Sequence, residues 1–246
     1  MAPEPSLDRL ALPNGEAPVW TCGEGEPLLY FHPAAGFRWS PGLAQLSGHY
    51  RLIAPLAPGF DGTPLAGEIH SLPELADWMA EVHDRLISRP CPVVGHSFGG
   101  WLAQWFAVRH PARVTTLVLS APAGWLPNDA PPRGPNSPLP LFVHPQNLFP
   151  SHKPPGTEEA NWAAVGHYTG GRRRDPELPQ HLSRLTVPTL ILRGSEDAVV
   201  PWRSVDELQR HIPGSMLLQL PDAGHGLDVD QPEAWAKWVS RFGRGF

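Results

Sequence analysis

A serine in a glycine-rich setting is the most informative feature of the sequence. Gly95-His96-Ser97-Phe98-Gly99 reads Gly-x-Ser-x-Gly, with an apolar run before it and a glycine-rich helix start after it. A tight strand-to-helix turn of this kind strains the serine backbone and exposes the hydroxyl, while the two glycines leave space for the flanking elements. By itself the motif also fits a serine that caps a helix. The strand before it and the helix after it favour Ser97 as a nucleophile.

A catalytic serine needs two partners elsewhere in the chain. Its hydroxyl is a poor nucleophile near neutral pH, so a histidine must accept its proton and a carboxylate must fix the tautomer of that histidine. The chain order of nucleophile, acid and histidine points to two loops, each of which follows a late apolar run. The first carries Asp197, and the second carries His225 between two glycines. These residues are the predicted acid and base.

Other residues compete for these roles. Glu196 and Asp129 are the rival acids, although Glu196 should point away if its neighbour Asp197 points in. His96 adjoins the serine and is the rival base. We expect its side chain to pack at the strand end, directed away from Ser97. The Phe98 N–H begins the helix after the serine and is placed to donate to a developing oxyanion.

Short apolar runs that alternate with amphipathic segments indicate an α/β fold with a mostly parallel central sheet flanked by helices. The predicted strands are residues 28–32, 51–54, 91–95, 114–120, 187–193 and 216–220. The predicted helices are residues 72–86, 98–110, 203–211 and 232–242.

A proline-rich stretch interrupts this alternation. Of the 32 prolines, 11 lie between Pro122 and Pro155, where helical and strand periodicity is weak. We therefore predict a core domain of residues 1–122 and 183–246, with residues 123–182 inserted as a cap or lid.

Several of these strings together resemble one family, the α/β-hydrolase-fold serine hydrolases. The resemblance rests on the serine motif and on the strings at residues 31–36, 57–62, 194–201 and 224–225. It implies the α/β-hydrolase fold and an oxyanion hole formed by the N–H groups of Ala34 and Phe98. Pro33 departs from the His-Gly segment of the family and has no N–H to donate, which is why Ala34 is assigned as the second donor.

The predicted activity is hydrolysis of a carboxylic ester, thioester or lactone with an apolar acyl or alcohol part through an acyl-enzyme. Two alternatives stay open: carbon–carbon bond hydrolysis by the same three residues, and a non-catalytic ligand-binding protein of this fold. The candidate pocket residues, some of which could instead form the core of the cap, are His32, Trp125, Leu141, Phe142, Phe149 and Trp162.

Composition excludes several other classes. Lys plus Arg is 19 and Asp plus Glu is 24, a net charge of −5 without a basic surface stripe, which argues against nucleic acid as a partner. Because only two cysteines occur and no 18 apolar residues run together, neither a disulfide scaffold nor a membrane span is expected. The expectation is a cytoplasmic monomer or homodimer that acts on a small molecule without cofactor or metal. The irregular spacing of His144, His152 and His167 argues against a metal site.

Overall fold

The computed structural model describes residues 4–12, 15–130, 134–135, 137–151 and 153–245. Within these residues the chain forms one eight-stranded sheet. In chain order its strands are β1 Ser6–Leu12, β2 Gly15–Cys22, β3 Pro27–Phe31, β4 Arg51–Pro55, β5 Cys91–His96, β6 Val114–Ser120, β7 Thr189–Gly194 and β8 Met216–Leu220.

The order of strands across the sheet is β1-β2-β4-β3-β5-β6-β7-β8. The pairs β1–β2 and β2–β4 are antiparallel, and all later pairs are parallel. Strands β3 to β7 are almost entirely buried, as expected for parallel strands covered on both faces. The predicted α/β-hydrolase architecture with a mostly parallel sheet is confirmed.

Helices cover both faces of the sheet. They are α1 Pro41–Leu46, α2 Leu72–Leu86, α3 Phe98–Arg109, α4 Thr157–Thr169, α5 Leu178–Leu182, α6 Trp202–His211, α7 Leu227–Asp230 and α8 Pro232–Gly243. Because strand side chains alternate between faces, Leu29 and Phe31 of β3 pack on the side of α2 and α3, while Leu28 and Tyr30 pack on the side of α1 and α8. The described helices include none long and apolar enough to cross a membrane.

Several elements differ from the sequence prediction. The hairpin of β1 and β2 was not predicted, because most β1 side chains are exposed at the edge of the sheet and show no apolar run. Strand β7 begins at Thr189 rather than at residue 187, since Pro188 has no N–H for the ladder and contributes its carbonyl to Leu117 instead.

The stretch predicted as an insertion lies between β6 and β7 in the chain and contains α4 and α5. Asp175 attaches its far end to the core, because one carboxylate oxygen accepts hydrogen bonds from the indole N–H groups of Trp101 and Trp105, both at 2.8 Å. The other oxygen caps α5 through the N–H of Leu178 at 3.1 Å. This end of the stretch is thus fixed directly on α3.

Candidate active site

Ser97 occupies the sharp turn between β5 and α3. Its backbone has φ 54° and ψ −114°, a strained conformation for a residue with a side chain. The turn needs both neighbouring glycines. A Cβ on Gly95 would lie 2.2 Å from the Gly99 carbonyl oxygen, and a Cβ on Gly99 would lie 2.1 Å from the Phe31 carbonyl oxygen. Close packing of β3, β5 and α3 therefore depends on the absence of side chains at these two positions.

The structure brings the three predicted catalytic residues into one hydrogen-bonded chain. The Ser97 hydroxyl donates to Nε2 of His225 at 2.9 Å, and Nδ1 of His225 donates to Oδ2 of Asp197 at 3.2 Å. His225 and Asp197 are both buried. This arrangement places a base beside the serine and a carboxylate that selects the tautomer of that base.

The carboxylate of Asp197 is held from its other side as well. Oδ1 accepts the backbone N–H groups of Val199 at 2.7 Å and Val200 at 2.9 Å. Burial alone would raise the pKa of Asp197, but the adjacent charge and hydrogen bond of His225 and these two N–H donors outweigh it and lower the pKa below its ordinary value. Asp197 therefore stays ionised at neutral pH.

Arg193, which the sequence reasoning did not single out, organises the loop that carries Asp197. Its guanidinium is buried and donates to the carbonyl oxygens of Val200 at 2.9 Å, Gly194 at 2.7 Å and Asp197 at 3.0 Å. A signal was present in the sequence, since an arginine inside an otherwise apolar strand needs buried partners.

The competing residues lie elsewhere. Asp129 forms an exposed ion pair with Arg203, and the Glu196 carboxylate accepts a hydrogen bond from the Ser195 hydroxyl in an exposed position. His96 is buried, and its Nε2 donates to the His225 backbone carbonyl at 3.0 Å. His96 therefore supports the loop of the base and makes no hydrogen bond to the serine.

The predicted oxyanion donors flank the serine. Ala34 lies in a turn closed by a hydrogen bond from the Gly36 N–H to the Pro33 carbonyl at 2.9 Å, and it lines the same cavity as Ser97. Phe98 is the first residue of α3. Among the described residues, neither the Ala34 N–H nor the Phe98 N–H has a hydrogen-bond acceptor. Neither N–H group is therefore satisfied within the described part of the protein, as the predicted role requires.

His32 fixes the turn that carries Ala34. Its Nε2 accepts the Ala57 N–H at 3.1 Å, which leaves the proton on Nδ1 to donate to the Pro33 carbonyl at 2.9 Å. Burial lowers the pKa of His32, against the opposing hydrogen bond to Pro33, so the ring stays neutral. His32 was predicted to line the pocket, and this prediction is corrected: the residue is 3% exposed, it is absent from the cavity lining, and both ring nitrogens bind backbone groups.

A second support for this turn comes from the inserted stretch. Lys153 donates to the Ala35 carbonyl at 2.6 Å and to Oδ1 of Asp61 at 2.7 Å, while Oδ2 of Asp61 accepts the Phe37 N–H at 2.9 Å. Asn161 of α4 also donates to Asp61, at 3.1 Å. The turn of the predicted oxyanion hole is thus tied to Lys153, which precedes α4, and to Asn161 within α4.

Asp230 connects the loop of His225 to the inserted stretch. Its buried carboxylate accepts the N–H groups of Val143 at 3.0 Å, His144 at 2.7 Å and Gly224 at 2.7 Å. Because one side chain holds both segments, the position of residues 141–144 over the site depends on Asp230.

A cavity of about 230 Å³ opens over Ser97 and His225. Three of the predicted pocket residues line it: Leu141, Phe142 and Trp162. The other pocket predictions are corrected. Trp125 is 1% exposed and donates to Gln104 in the core, and Phe149 is 38% exposed outside the cavity lining.

The sequence did not lead to five polar residues that line the cavity: Tyr30, Arg38, Ser137, Glu158 and Asp228. Tyr30 and Asp228 are buried, and Arg38 is half-buried. Tyr30 lies within a strand predicted to be buried, whereas Asp228 follows the predicted base by only three residues, a spacing that could have drawn attention to it.

Two of the histidines considered as metal ligands, His144 and His167, have separate partners. His144 pairs with Asp222, and Nε2 of His167 donates to the Ile69 carbonyl. His152 lies outside the described residues. Across the described part of the chain, no group of three or more His, Cys, Asp or Glu side chains is arranged to hold a metal ion.

A strained serine turn, a hydrogen-bonded Ser-His-Asp chain and a parallel sheet are all features of one family, and the sequence match agrees. The family model described as "Alpha/beta hydrolase family" matches residues 28–238. The chain belongs to this family. The matched range spans β3 to α8 and contains Ser97, Asp197 and His225.

Known proteins of related sequence and structure are hydrolases by name. "Putative carbamate hydrolase RutD" of Pantoea ananatis is 27% identical, with 85% of each chain covered. Carboxylesterase CesB of Bacillus subtilis has a TM-score of 0.71 at 19% identity, covering 97% of this chain and 91% of the other. The 2-hydroxy-6-oxo-6-phenylhexa-2,4-dienoate hydrolase of Rhodococcus sp. strain RHA1 has a TM-score of 0.75 at 19% identity, covering 99% and 100%. At 19% identity, the two solved structures show that the fold is shared and no more.

Proposed function

We propose that this hydrolase cleaves a carboxylic ester, or a thioester or lactone, through an acyl-enzyme on Ser97. The observation that carries the proposal is the chain of hydrogen bonds from Ser97 through His225 to Asp197 beside the cavity. A binding protein of this fold would have no use for a strained serine hydrogen-bonded to a histidine. This geometry therefore favours catalysis over ligand binding alone.

Acylation uses each group in turn. Oγ of Ser97 bonds to the substrate carbonyl carbon while its proton passes to Nε2 of His225, and Asp197 balances the charge of the resulting imidazolium. The carbonyl oxygen becomes an oxyanion, which the N–H groups of Ala34 and Phe98 stabilise by hydrogen bonds. His225 then returns the proton to the leaving oxygen or sulfur as its bond to the carbonyl carbon breaks.

Deacylation repeats these steps with water. His225 takes a proton from a water molecule, whose oxygen bonds to the acyl carbon, and the proton is then delivered to Oγ of Ser97 as the acid leaves. The same two N–H donors hold the second oxyanion. Because His32 and Lys153 hold the turn of Ala34, we expect this donor to be fixed before substrate binds.

The stretch between β6 and β7 is placed to influence which substrate binds. We infer that residues 123–182 act as a cap on the core of residues 1–122 and 183–246, because Leu141, Phe142 and Trp162 form apolar walls of the cavity. A volume of about 230 Å³ is below the range of roughly 300–1,000 Å³ typical of sites for drug-sized ligands. A small acyl or alcohol group is therefore favoured.

Carbamate hydrolysis is a second candidate, and the names of the sequence relatives favour it. A carbamate offers the same electrophilic carbonyl to Ser97, with nitrogen in place of one carbon substituent. Carbon–carbon hydrolysis remains the alternative if esters and carbamates both fail as substrates.

The test is hydrolysis of p-nitrophenyl esters from acetate to octanoate, together with a p-nitrophenyl carbamate, by wild type and by Ser97→Ala. We expect an optimum at short acyl length and a fall in kcat of several orders of magnitude in the variant. A variant that retains near-normal rates, or a folded wild type that hydrolyses none of the series, would contradict the proposal.

A further inference from the structure

Two buried polar side chains in the cavity lack partners. Asp228 is 7% exposed and Tyr30 is 2% exposed, and both line the cavity that holds Ser97 and His225. Within the described part of the chain, neither the carboxylate nor the phenol has a hydrogen-bond or ion-pair partner in the protein. By contrast, the neighbouring Asp230 is satisfied by three N–H donors.

The Asp228 carboxylate opens onto the cavity. In the described part of the chain its oxygens are not among the fully enclosed polar atoms that lack a partner, so they are accessible from the cavity. Because a buried charge is as a rule paired or hydrogen-bonded, a group bound in the cavity can supply that partner. The Asp228 charge acts on Tyr30: burial, and after it the proximity of Asp228, raises the pKa of Tyr30 well above its ordinary value. Tyr30 therefore stays a neutral phenol whose oxygen can accept a hydrogen bond.

The neighbouring groups do not neutralise Asp228. Arg38 lines the same cavity but is only half-buried and forms no ion pair with Asp228 among the described contacts. Burial lowers the pKa of His96, despite the opposing influence of Asp228, so this imidazole stays neutral, and its Nε2 proton is engaged by the His225 carbonyl. Within the described residues, the Asp228 carboxylate therefore faces the cavity without a cationic or N–H partner from the protein.

We propose that Asp228 and Tyr30 form a subsite for a protonated amine on the substrate. An ammonium N–H would donate to the Asp228 carboxylate as a charge-assisted hydrogen bond, and a primary ammonium, which has more than one N–H, would also donate to the Tyr30 hydroxyl oxygen. This inference rests on the proposed function, since it gives the acyl or alcohol part of the ester a small amine-bearing chain. The apolar walls from Leu141 and Phe142 then contact its methylene groups.

Two pairs of esters test the subsite. In each pair, one ester carries an ammonium group where the other has an uncharged carbon. On the acyl side, p-nitrophenyl 3-aminopropionate is compared with p-nitrophenyl butanoate. On the alcohol side, 2-(dimethylamino)ethyl butanoate is compared with 3-methylbutyl butanoate by pH-stat titration. The measured quantity is the ratio of kcat/KM for the ammonium ester to that for its uncharged partner at pH 7.

Asp228→Asn removes the charge with little change in shape, and Glu158→Gln is the matched control. Glu158 is an exposed carboxylate that lines the same cavity. We expect the ratio in at least one pair to fall tenfold or more in Asp228→Asn, a loss on the scale of one hydrogen bond to a charged group. In Glu158→Gln it should change by less than about threefold. Comparison of variants cancels the intrinsic reactivity of the esters.

The outcomes separate this inference from the proposed function. If Asp228→Asn lowers the rates for both members of each pair equally, Asp228 supports His225 or the fold and the subsite is refuted. A larger effect of Glu158→Gln would refute it also. Hydrolysis of butanoate by wild type with no dependence of the ratio on Asp228 would overturn the inference alone, whereas no hydrolysis of any ester would overturn the function beneath it.

Discussion

Replacement of Arg193 by methionine tests whether the acid loop is held by its buried guanidinium. The variant keeps the apolar stem of the side chain and removes the donors to the carbonyls of Val200, Gly194 and Asp197, which lie at 2.9, 2.7 and 3.0 Å. Asp197 depends on this loop for its position beside His225. Both stability and catalysis should therefore respond.

The magnitude follows from these three contacts. At about 1.5–3 kcal/mol for each hydrogen bond to a charged group, their loss would cost about 4.5–9 kcal/mol if the contributions were additive. Removal of the guanidinium also removes the cost of burying its charge, several kcal/mol. We expect a net loss of about 3 kcal/mol in the free energy of unfolding, which leaves a domain of ordinary stability, about 5–15 kcal/mol, folded. We expect kcat to fall roughly 10- to 100-fold because Asp197 loses its fixed orientation.

Urea unfolding followed by tryptophan fluorescence gives the stability change, and ester hydrolysis by the folded variant gives kcat. Arg203→Met is the matched control, because Arg203 pairs with Asp129 at the exposed surface, where such a pair contributes less than about 1 kcal/mol. Arg193→Lys should be intermediate. Equal stability losses in Arg193→Met and Arg203→Met would refute the role assigned to the buried guanidinium.

Three further predictions concern the site and its supports. Asp197→Asn should keep the fold and lower kcat by about 10⁴ because the tautomer of the base is no longer enforced; a loss below tenfold in steady-state assays would contradict this. Burial lowers the pKa of His32 in the folded protein, so the unfolded chain binds a proton at this residue more readily. Protonation therefore favours the unfolded state, and the free energy of unfolding decreases as the pH falls through the unfolded pKa of about 6.5. The unfolding free energy of wild type should accordingly fall more steeply between pH 7.5 and 5.5 than that of His32→Gln, and parallel curves would refute the assignment. Gly99→Ala should abolish ester hydrolysis and lower the melting temperature because its Cβ would lie 2.1 Å from a backbone oxygen, whereas Gly166→Ala, with open space in α4, should stabilise by about 0.5–1 kcal/mol.

The sequence was sufficient for the central strands and for the serine turn. Residues 114–120 coincide with β6, and the predicted strand at 91–95 differs from β5 by one residue, because buried parallel strands read as continuous apolar runs. The edge hairpin was missed for the opposite reason: β1 is mostly exposed, so its pairing with β2 leaves no mark in the pattern of apolar residues.

The supports of the site could not be read from the chain because they join distant segments. Lys153 contacts Ala35 across 118 positions, and Asp230 binds the backbone of Val143 across 87. Local periodicity carries no information on such contacts. The misplacement of Trp125 in the pocket has a similar origin, since only the fold shows that its indole faces Gln104 in the core.

Covalent labelling with a fluorophosphonate tests the central claim most directly, because the reagent phosphonylates only a serine that a neighbouring base has activated. Intact-mass spectrometry followed by peptide mapping of wild type, Ser97→Ala and His225→Ala would locate the label. The account predicts one phosphonyl group on Ser97, with fluoride released, no labelling of Ser97→Ala, and labelling of His225→Ala slowed by orders of magnitude. Labelling at a different residue, or labelling of Ser97 at the same rate without His225, would contradict it.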